Sequence, residues 1–152
     1  MNLSKLIIEL DGRVYTDELT RHIYATDASV YQETPLAVAV PQNDEDLRKI
    51  IKFCSDHLIS IIPRAAGTSL AGQCVGAGIV VDISKHFRKI WDLDQEARTV
   101  WVQPGVIRDE LNAYLAPHGL HFGPNTSTAN RCMIGGMVGN NSCGSSSIKY
   151  GT

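Results

Sequence analysis

The sequence lacks several features that would indicate a membrane protein, a secreted protein or a nucleic-acid-binding protein. Its 14 basic and 16 acidic side chains leave a net charge of -2, so no basic surface for nucleic acid or anionic membrane is indicated. No apolar run approaches the roughly 18 residues of a membrane span. The opening segment, MNLSKLIIEL, is too short and too charged for a secretory signal. We therefore expect a cytoplasmic protein with no membrane span and no nucleic-acid partner.

The four cysteines do not form the C-x-x-C pairs that metal and redox sites use. They are Cys54, Cys74, Cys132 and Cys143. Without a secretory signal, reduced thiols are the expected state of all four. We predict no disulfide and no metal site.

Three well-known catalytic or nucleotide-binding motifs are also missing. The chain has no Gly-Lys pair, which excludes the Walker phosphate loop, and no G-x-S-x-G, which excludes a serine hydrolase elbow. Gly76-Ala77-Gly78 leads into the β-branched run IVVDI, whereas the dinucleotide fingerprint of a Rossmann fold must open a helix. A nucleotide bound by this chain is therefore not held in the Rossmann manner.

What is present is the composition of one ordinary globular domain, with 43% apolar and 20% charged residues. LSKLIIEL has helical spacing and ends at a turn, Asp11-Gly12, and residues 16–35 read as a partial helix and a loop. PLAVAVP and ISIIP read as strands on either side of a helix that Asn43 caps. The expected apolar face of that helix is Leu47, Ile50, Ile51, Cys54 and Leu58. Strand, helix and strand at this spacing predict a parallel βαβ unit over residues 36–62.

In the second half of the chain, the sequence pattern predicts fewer helices and strands. GIVVDI is a third strand, KIWDL and TVWVQP form a hairpin, and VIRDELNAYLAPHGL is an amphipathic helix. Its expected buried residues are Val106, Leu111, Tyr114 and Leu115. Residues 123–152 show no helix or strand signal. The sum is an α+β fold with a small mixed sheet, flanking helices on one side and both small-residue loops at one edge.

The segment PRAAGTSLAGQ, which follows the second strand of the βαβ unit, consists mostly of small residues. Consecutive N–H groups in such a loop can form a concave nest for an anion, and small side chains let a phosphate approach the backbone. The alternative is a plain tight connection between two strands.

A second small-residue segment, MIGGMVGNNSCGSSS, supports the phosphate interpretation, because two such segments can clamp a long ligand. Its glycines permit close approach, and its asparagines and serines offer hydrogen-bond donors and acceptors. The alternative here is a flexible Gly/Ser tail, although the apolar residues of MIGGMVG are not typical of a linker.

Five blocks in this order resemble a known family: PLAVAVPQNDEDLRKIIKFC, IIPRAAGTSLAGQ, VQPGV, HGLHFGPN and CMIGGMVGNNSCGSSSIKYG. They resemble the PCMH-type FAD-binding domain of the vanillyl-alcohol oxidase family. The resemblance is nearest to the flavin-linked dehydrogenases of D-2-hydroxy acids such as D-lactate, glycolate and D-2-hydroxyglutarate. It extends from about residue 25 to the end.

The resemblance implies FAD as the cofactor, held at two clamps, and no catalytic residue in this portion, because the flavin carries the chemistry. The implied cofactor-binding residues of the first clamp are Arg64, Ala65, Ala66, Gly67, Thr68, Ser69, Gly72 and Gln73. Those of the second are Pro124, Thr128, Gly135, Gly136, Asn140, Asn141, Cys143, Gly144 and Ile148.

The resemblance also implies that the FAD is non-covalent. Some relatives bond the flavin through a histidine that would fall at Thr68 or a cysteine that would fall near Ala129, and neither is present. Cys132 has the wrong offset from Gly135 and Gly136, so we expect it to be packed in the interior.

The expected organisation is a helical lead-in, residues 1–35, followed by the N-terminal portion of an FAD-binding domain, residues 36–152. The resemblance implies a longer enzyme, with the rest of the flavin domain, a substrate domain and, in the long forms, iron–sulfur domains as partners. The 152 residues alone should then hold FAD weakly. The alternative is a non-catalytic module that kept the fold and binds another anionic ligand or a protein partner.

Overall fold

The computed structural model describes residues 3–152, apart from the side chain of Lys5, so Met1 and Asn2 of the predicted lead-in lie outside it. The chain divides into two compact units, Met1–His86 and Phe87–Thr152. The predicted division between lead-in and FAD-binding domain after residue 35 stays a prediction.

The first unit is a four-stranded mixed sheet with helices. Its elements are α1 Ser4–Glu9, β1 Arg13–Tyr15, α2 Glu18–Ile23, β2 Ala37–Val40, α3 Asp44–Asp56, β3 Ile61–Arg64 and β4 Ile79–Asp82. The strand order is β1-β2-β4-β3. Strands β2 and β3 both run parallel to β4, which lies between them, and this confirms the predicted βαβ unit. Strand β1, which is antiparallel to β2, was not predicted.

Helix α3 begins where the sequence predicts. The Asn43 side chain accepts a hydrogen bond from the Asp46 N–H at 2.9 Å, which is the N-cap interaction expected of an asparagine at this position. Ile50 and Cys54 of the predicted apolar face are buried. Ile51 and Leu58 were wrongly included, since they are 56% and 95% exposed. Leu58 follows the end of the helix at φ +54°, so the helical period no longer places it.

The central strands are buried on both faces, as alternation along a strand requires of a sheet covered on both sides. Ala37 and Ala39 pack with residues of α1 and α3, so these helices share one face as predicted. Val38 and Val40 point to the other face, where they pack with Ile62, Cys74 and Val80. Tyr24, which follows α2, packs on that second face.

The second unit contains a hairpin and shorter helices. Its elements are β5 Ile90–Asp94, β6 Thr99–Val102, α4 Arg108–Leu115, a 3-10 turn Ala116–His118, α5 Ile134–Gly139 and α6 Ser147–Tyr150. The antiparallel β5–β6 hairpin and helix α4 are confirmed. The expectation of no helix after residue 123 is wrong, because α5 and α6 both form there.

The core of this unit is formed by one apolar cluster: Val106, Leu111, Leu115, Cys132, Ile134 and Met137. Three of the four residues expected inward around α4 belong to it. Tyr114 was wrongly expected to be buried; it is 39% exposed, and its ring lies 6.3 Å from that of His118. None of the helices within residues 3–152 is long and apolar enough to cross a membrane.

Candidate cofactor site

The first loop, residues 65–73, leaves the carboxyl end of β3 and carries seven of the predicted site residues, and Arg64, the last residue of β3, is the eighth. Gly67 has φ +67°, a left-handed conformation that glycine adopts without the steric cost of a Cβ. Within the described part of the chain, the main-chain N–H groups of Ala66, Gly67 and Thr68 have no hydrogen-bond partner. Consecutive unpartnered amides in partly exposed residues with small side chains are the kind of donor set that can accept an anion.

Ser69 and Gln73 close the first loop on itself. The Ser69 hydroxyl donates to the Gln73 Oε1 at 2.8 Å and accepts from the N–H groups of Ala71 and Gln73 at 3.2 and 3.3 Å. Gly72, at φ +69°, lies against the Tyr31 ring, and a Cβ there would come within 2.8 Å of it. The exit of the loop is therefore held in a fixed shape by its own side chains and by Tyr31.

Arg64 lies behind the loop. Its Nη1 donates to the Thr26 carbonyl at 2.7 Å and lies 3.4 and 3.5 Å from the carbonyls of Cys74 and Tyr24. A Cβ on Gly67 would lie 2.6 Å from Nη2, so the loop folds closely over the guanidinium group. The predicted cofactor residue Arg64 thus connects the loop to the chain before β2.

The partly buried Tyr24 and the buried Asp82 form a polar pair beside Arg64. The Tyr24 hydroxyl donates to the Asp82 Oδ2 at 2.5 Å, and Asp82 is only 4% exposed. Burial and the hydrogen bond to this carboxylate raise the pKa of Tyr24 above that of a free phenol. Burial also raises the pKa of the nearby Cys74 thiol.

The second segment, residues 122–148, is held by side chains of α4. The Arg108 Nε donates to the Pro124 carbonyl at 3.1 Å, and the Asn112 Oδ1 accepts from the Phe122 N–H at 2.6 Å. The Thr128 carbonyl accepts from the N–H groups of Arg131 and Cys132. These bonds fix the chain that leads into α5.

Two of the predicted glycines allow backbone and side chain to pack closely within the protein. A Cβ on Gly135 would lie 2.5 Å from the Cβ of Pro104, and one on Gly144 would overlap the Asn125 carbonyl oxygen. Their lack of a side chain is thus required by internal packing. Any contact that they make with a cofactor would be made by the remaining open side of the backbone.

The remaining predicted residues of the second segment lie on the surface. Gly136, Asn140, Asn141, Cys143 and Ile148 are exposed. Asn141 has φ +48°, and the Asn140 Nδ2 donates to the Ser142 Oγ at 3.1 Å. These groups are accessible to a ligand.

The two positions at which the resemblance would place a covalent link hold Thr68 and Ala129. Thr68 lies among the free amides of the first loop, and Ala129 lies in a turn that closes on the Thr126 carbonyl. Cys132 is 4% exposed, with its sulfur 3.1 Å from the Thr126 Oγ1 and 3.6 Å from the Met137 Sδ. The expectation that Cys132 is packed inside is confirmed.

The structure brings the first set of predicted residues together in one unit and the second set in the other. Whether the two sets meet at one site stays a prediction. Sequence reasoning missed Tyr24, Asp82, Arg108 and Asn112, which hold the two segments in place. The available signal was weak: Asp82 is a carboxylate at the end of an apolar strand run, and Tyr24 lies in a stretch with no clean period.

The residues present fit the pyrophosphate of a dinucleotide. The first loop offers adjacent unpartnered amides, no bulky side chain before Leu70, and a guanidinium group behind them. Oriented N–H groups and a positive charge are what a pyrophosphate requires of a protein.

The small mixed sheet with its parallel βαβ unit, and the small-residue loop that follows β3, are the features expected of a PCMH-type FAD-binding fold. The FAD binding domain family matches residues 35–152, and the chain belongs to this family. FAD is therefore its cofactor.

Several characterised proteins are similar in sequence. D-2-hydroxyglutarate dehydrogenase of Pseudomonas putida is 39% identical over 92% of this chain, which spans 14% of that protein. Glycolate oxidase subunit GlcD of Bacillus subtilis is 34% identical over 99% of the chain, which spans 33% of it. The mitochondrial D-lactate dehydrogenase [cytochrome] of Kluyveromyces lactis is 35% identical over 97%, and the chain spans 27% of it.

Solved structures share the fold at lower identity. The BBE-like 1 protein of Physcomitrella patens superposes with a TM-score of 0.81 over 99% of this chain and 33% of its own, at 18% identity. An alkyldihydroxyacetonephosphate synthase superposes with a TM-score of 0.79 over 91% of this chain and 30% of its own, at 20% identity.

Proposed function

We propose that this chain is the FAD-binding portion of a flavoprotein dehydrogenase that oxidises a D-2-hydroxy acid. The observation that supports this proposal most directly is the run of unpartnered amides at Ala66, Gly67 and Thr68, in a chain that belongs to the FAD binding domain family. The substrate class is supported by the names of the relatives, which act on D-2-hydroxyglutarate, glycolate and D-lactate.

In this proposal the first loop binds the pyrophosphate. The N–H groups of Ala66, Gly67 and Thr68 donate to phosphate oxygens, and the guanidinium charge of Arg64 lies behind them. Gly72 and Gln73 hold the exit of the loop in shape, together with Ser69. The small side chains keep the backbone accessible, as a close phosphate contact requires.

In this proposal the second segment makes additional contacts with FAD. We assign further contacts with FAD to the exposed residues Gly136, Asn140, Asn141, Cys143 and Ile148, with Ile148 toward the adenosine side. The turn at Pro124 and Thr128 and the packed glycines Gly135 and Gly144 support these contacts from within the unit.

FAD, when bound, would supply the hydride-accepting chemistry of the oxidation, and the residues of this chain would bind and orient it. The substrate pocket, the electron acceptor and any iron–sulfur domain belong to partner segments of a longer protein in this proposal. A cytoplasmic location also belongs to it, and fractionation of cells for the flavoprotein would test that part.

The substrate class is tested with the complete gene product loaded with FAD. Anaerobic addition of D-2-hydroxyglutarate, D-lactate or glycolate should bleach the flavin absorption with at least one of the three. The L-enantiomers of the two chiral acids serve as matched controls and should leave it unchanged. A flavin that none of the acids reduces would contradict the proposed substrate class.

A further inference from the structure

The guanidinium group of Arg64 is held on one side by a stretch of chain that precedes the residues matched by the family. Its Nη1 donates to the Thr26 carbonyl at 2.7 Å, and its Cζ lies 5.1 Å from the centre of the Tyr24 ring. The family match begins only at residue 35. The lead-in therefore reaches the first loop through this arginine as well as through Tyr31, which lies against Gly72.

The Tyr24 ring is itself fixed by a buried carboxylate. Its hydroxyl donates to the Asp82 Oδ2 at 2.5 Å, and the other oxygen of Asp82 accepts from the Ser84 N–H at 2.8 Å. Asp82 ends β4, the strand next to β3 in the sheet, and Arg64 ends β3. The order of contacts is thus Asp82 to Tyr24, Tyr24 to Arg64, and Arg64 to the loop.

The other side of the guanidinium group faces the loop. Nη2 has no hydrogen-bond partner within residues 3–152, and a Cβ on Gly67 would lie 2.6 Å from it. Nη1 therefore holds the guanidinium group in place, and Nη2 faces the loop that carries the unpartnered amides. A long side chain held in one rotamer has already lost the conformational entropy that binding an anion would otherwise cost.

We propose that Tyr24 and Asp82 are positioning residues for FAD, which fix Arg64 behind the first loop so that its charge acts on the pyrophosphate. This inference rests on the proposed function, because it assumes that the first loop binds the pyrophosphate. It extends the cofactor site into the lead-in, to residues that touch the cofactor only through Arg64.

A double-mutant cycle on the complete gene product tests the coupling. Tyr24→Leu, Arg64→Gln and the double variant are stripped of flavin and titrated with FAD, and with riboflavin, which lacks the pyrophosphate. Each single change should weaken FAD binding about tenfold, equivalent to ~1.4 kcal/mol. The double variant should be no weaker than Arg64→Gln alone, because Tyr24 acts through Arg64.

Arg21→Gln is the matched control. Arg21 also holds a backbone carbonyl in the first unit, that of Pro35, through its Nε at 2.7 Å, but within residues 3–152 it makes no hydrogen bond to the first loop. It should bind FAD like the wild type, and all variants should bind riboflavin like the wild type. Tyr24→Phe keeps the ring, and Asp82→Asn keeps the packing volume. Both should weaken FAD binding, and they provide the test if Tyr24→Leu does not fold.

The outcomes separate the two proposals. Losses that add in the double variant, equal loss of riboflavin binding, or unchanged FAD binding in Tyr24→Phe and Asp82→Asn would overturn the positioning role. A wild-type protein that binds no FAD would instead overturn the proposed function.

Discussion

Gly67 combines a left-handed backbone with close approach to another group in the candidate site. At φ +67° an alanine is strained by about 1–2 kcal/mol, and its Cβ would press on the Arg64 guanidinium group. We expect Gly67→Ala to weaken FAD binding by about tenfold, because the amides around it would turn away from a common point. Equilibrium titration of the flavin-stripped protein measures this.

Gly119→Ala provides the control for this substitution. Gly119 has the same φ of +67°, but a Cβ there would meet nothing within 4 Å. The change should cost a similar strain energy in a denaturation experiment and leave FAD affinity unaltered. Equal loss of FAD affinity in the two variants would mean that Gly67 has no specific role.

Thr68 and Ala129 lead to a prediction about the flavin bond. Neither side chain can form a histidyl or cysteinyl link, and the buried Cys132 thiol is 4% exposed. Acid precipitation of the flavin-loaded protein should therefore release the yellow colour into the supernatant. Colour retained in the pellet as a flavin–peptide adduct would contradict non-covalent binding.

Glycines also mark the limit of sequence reasoning at single residues. Gly67, Gly135 and Gly144 were all selected because a glycine lets a ligand approach the backbone closely. The structure adds a left-handed φ of +67° at Gly67. At Gly135 and Gly144 the absent side chains make room for Pro104 and for the Asn125 carbonyl. A glycine that faces a ligand and one that faces its own chain look alike in a sequence.

Asp46 of helix α3 is bonded to the turn before β1 and to the residue that follows Pro41 after β2. This carboxylate is fully buried and accepts hydrogen bonds from the N–H groups of Asp11, Gly12 and Gln42, each at 2.9 Å. Asp46→Ala would leave these donors without their acceptor. We expect it to lower the free energy of unfolding by about 3 kcal/mol or more, as measured by chemical denaturation.

Asp44→Ala is the comparison within the same helix turn. Asp44 is exposed and interacts with the helix mainly through the dipole, so its removal should cost below about 1 kcal/mol. If the two variants were equally stable, the three hydrogen bonds to Asp46 would not be important to the first unit.

Helices and strands with a clear periodicity of apolar residues were predicted well, and those that depend on tertiary contacts were not. The βαβ unit, the hairpin and α4 follow from apolar spacing and from the Asn43 cap. Strand β1 is only three residues long and forms by pairing with β2. Helix α5 has the sequence IGGMVG, whose glycines disfavour a helix, and it forms with Ile134 and Met137 anchored in the core.

The whole chain divides its predicted cofactor contacts between two units. The first loop belongs to Met1–His86 and the second segment to Phe87–Thr152. Local patterns identified both segments, but they could not identify Tyr24 and Asp82, whose contacts join positions 58 residues apart in the sequence. The chain spans only 14% to 33% of the length of the three relatives named above, so most of the length of each relative has no counterpart in these 152 residues.

The most direct test of the central claim is the flavin content of the complete gene product. The account predicts that the purified protein shows a flavin spectrum, that acid releases FAD in stoichiometric amount, and that the stripped protein takes FAD back. A colourless protein that also fails to bind added FAD would contradict the account.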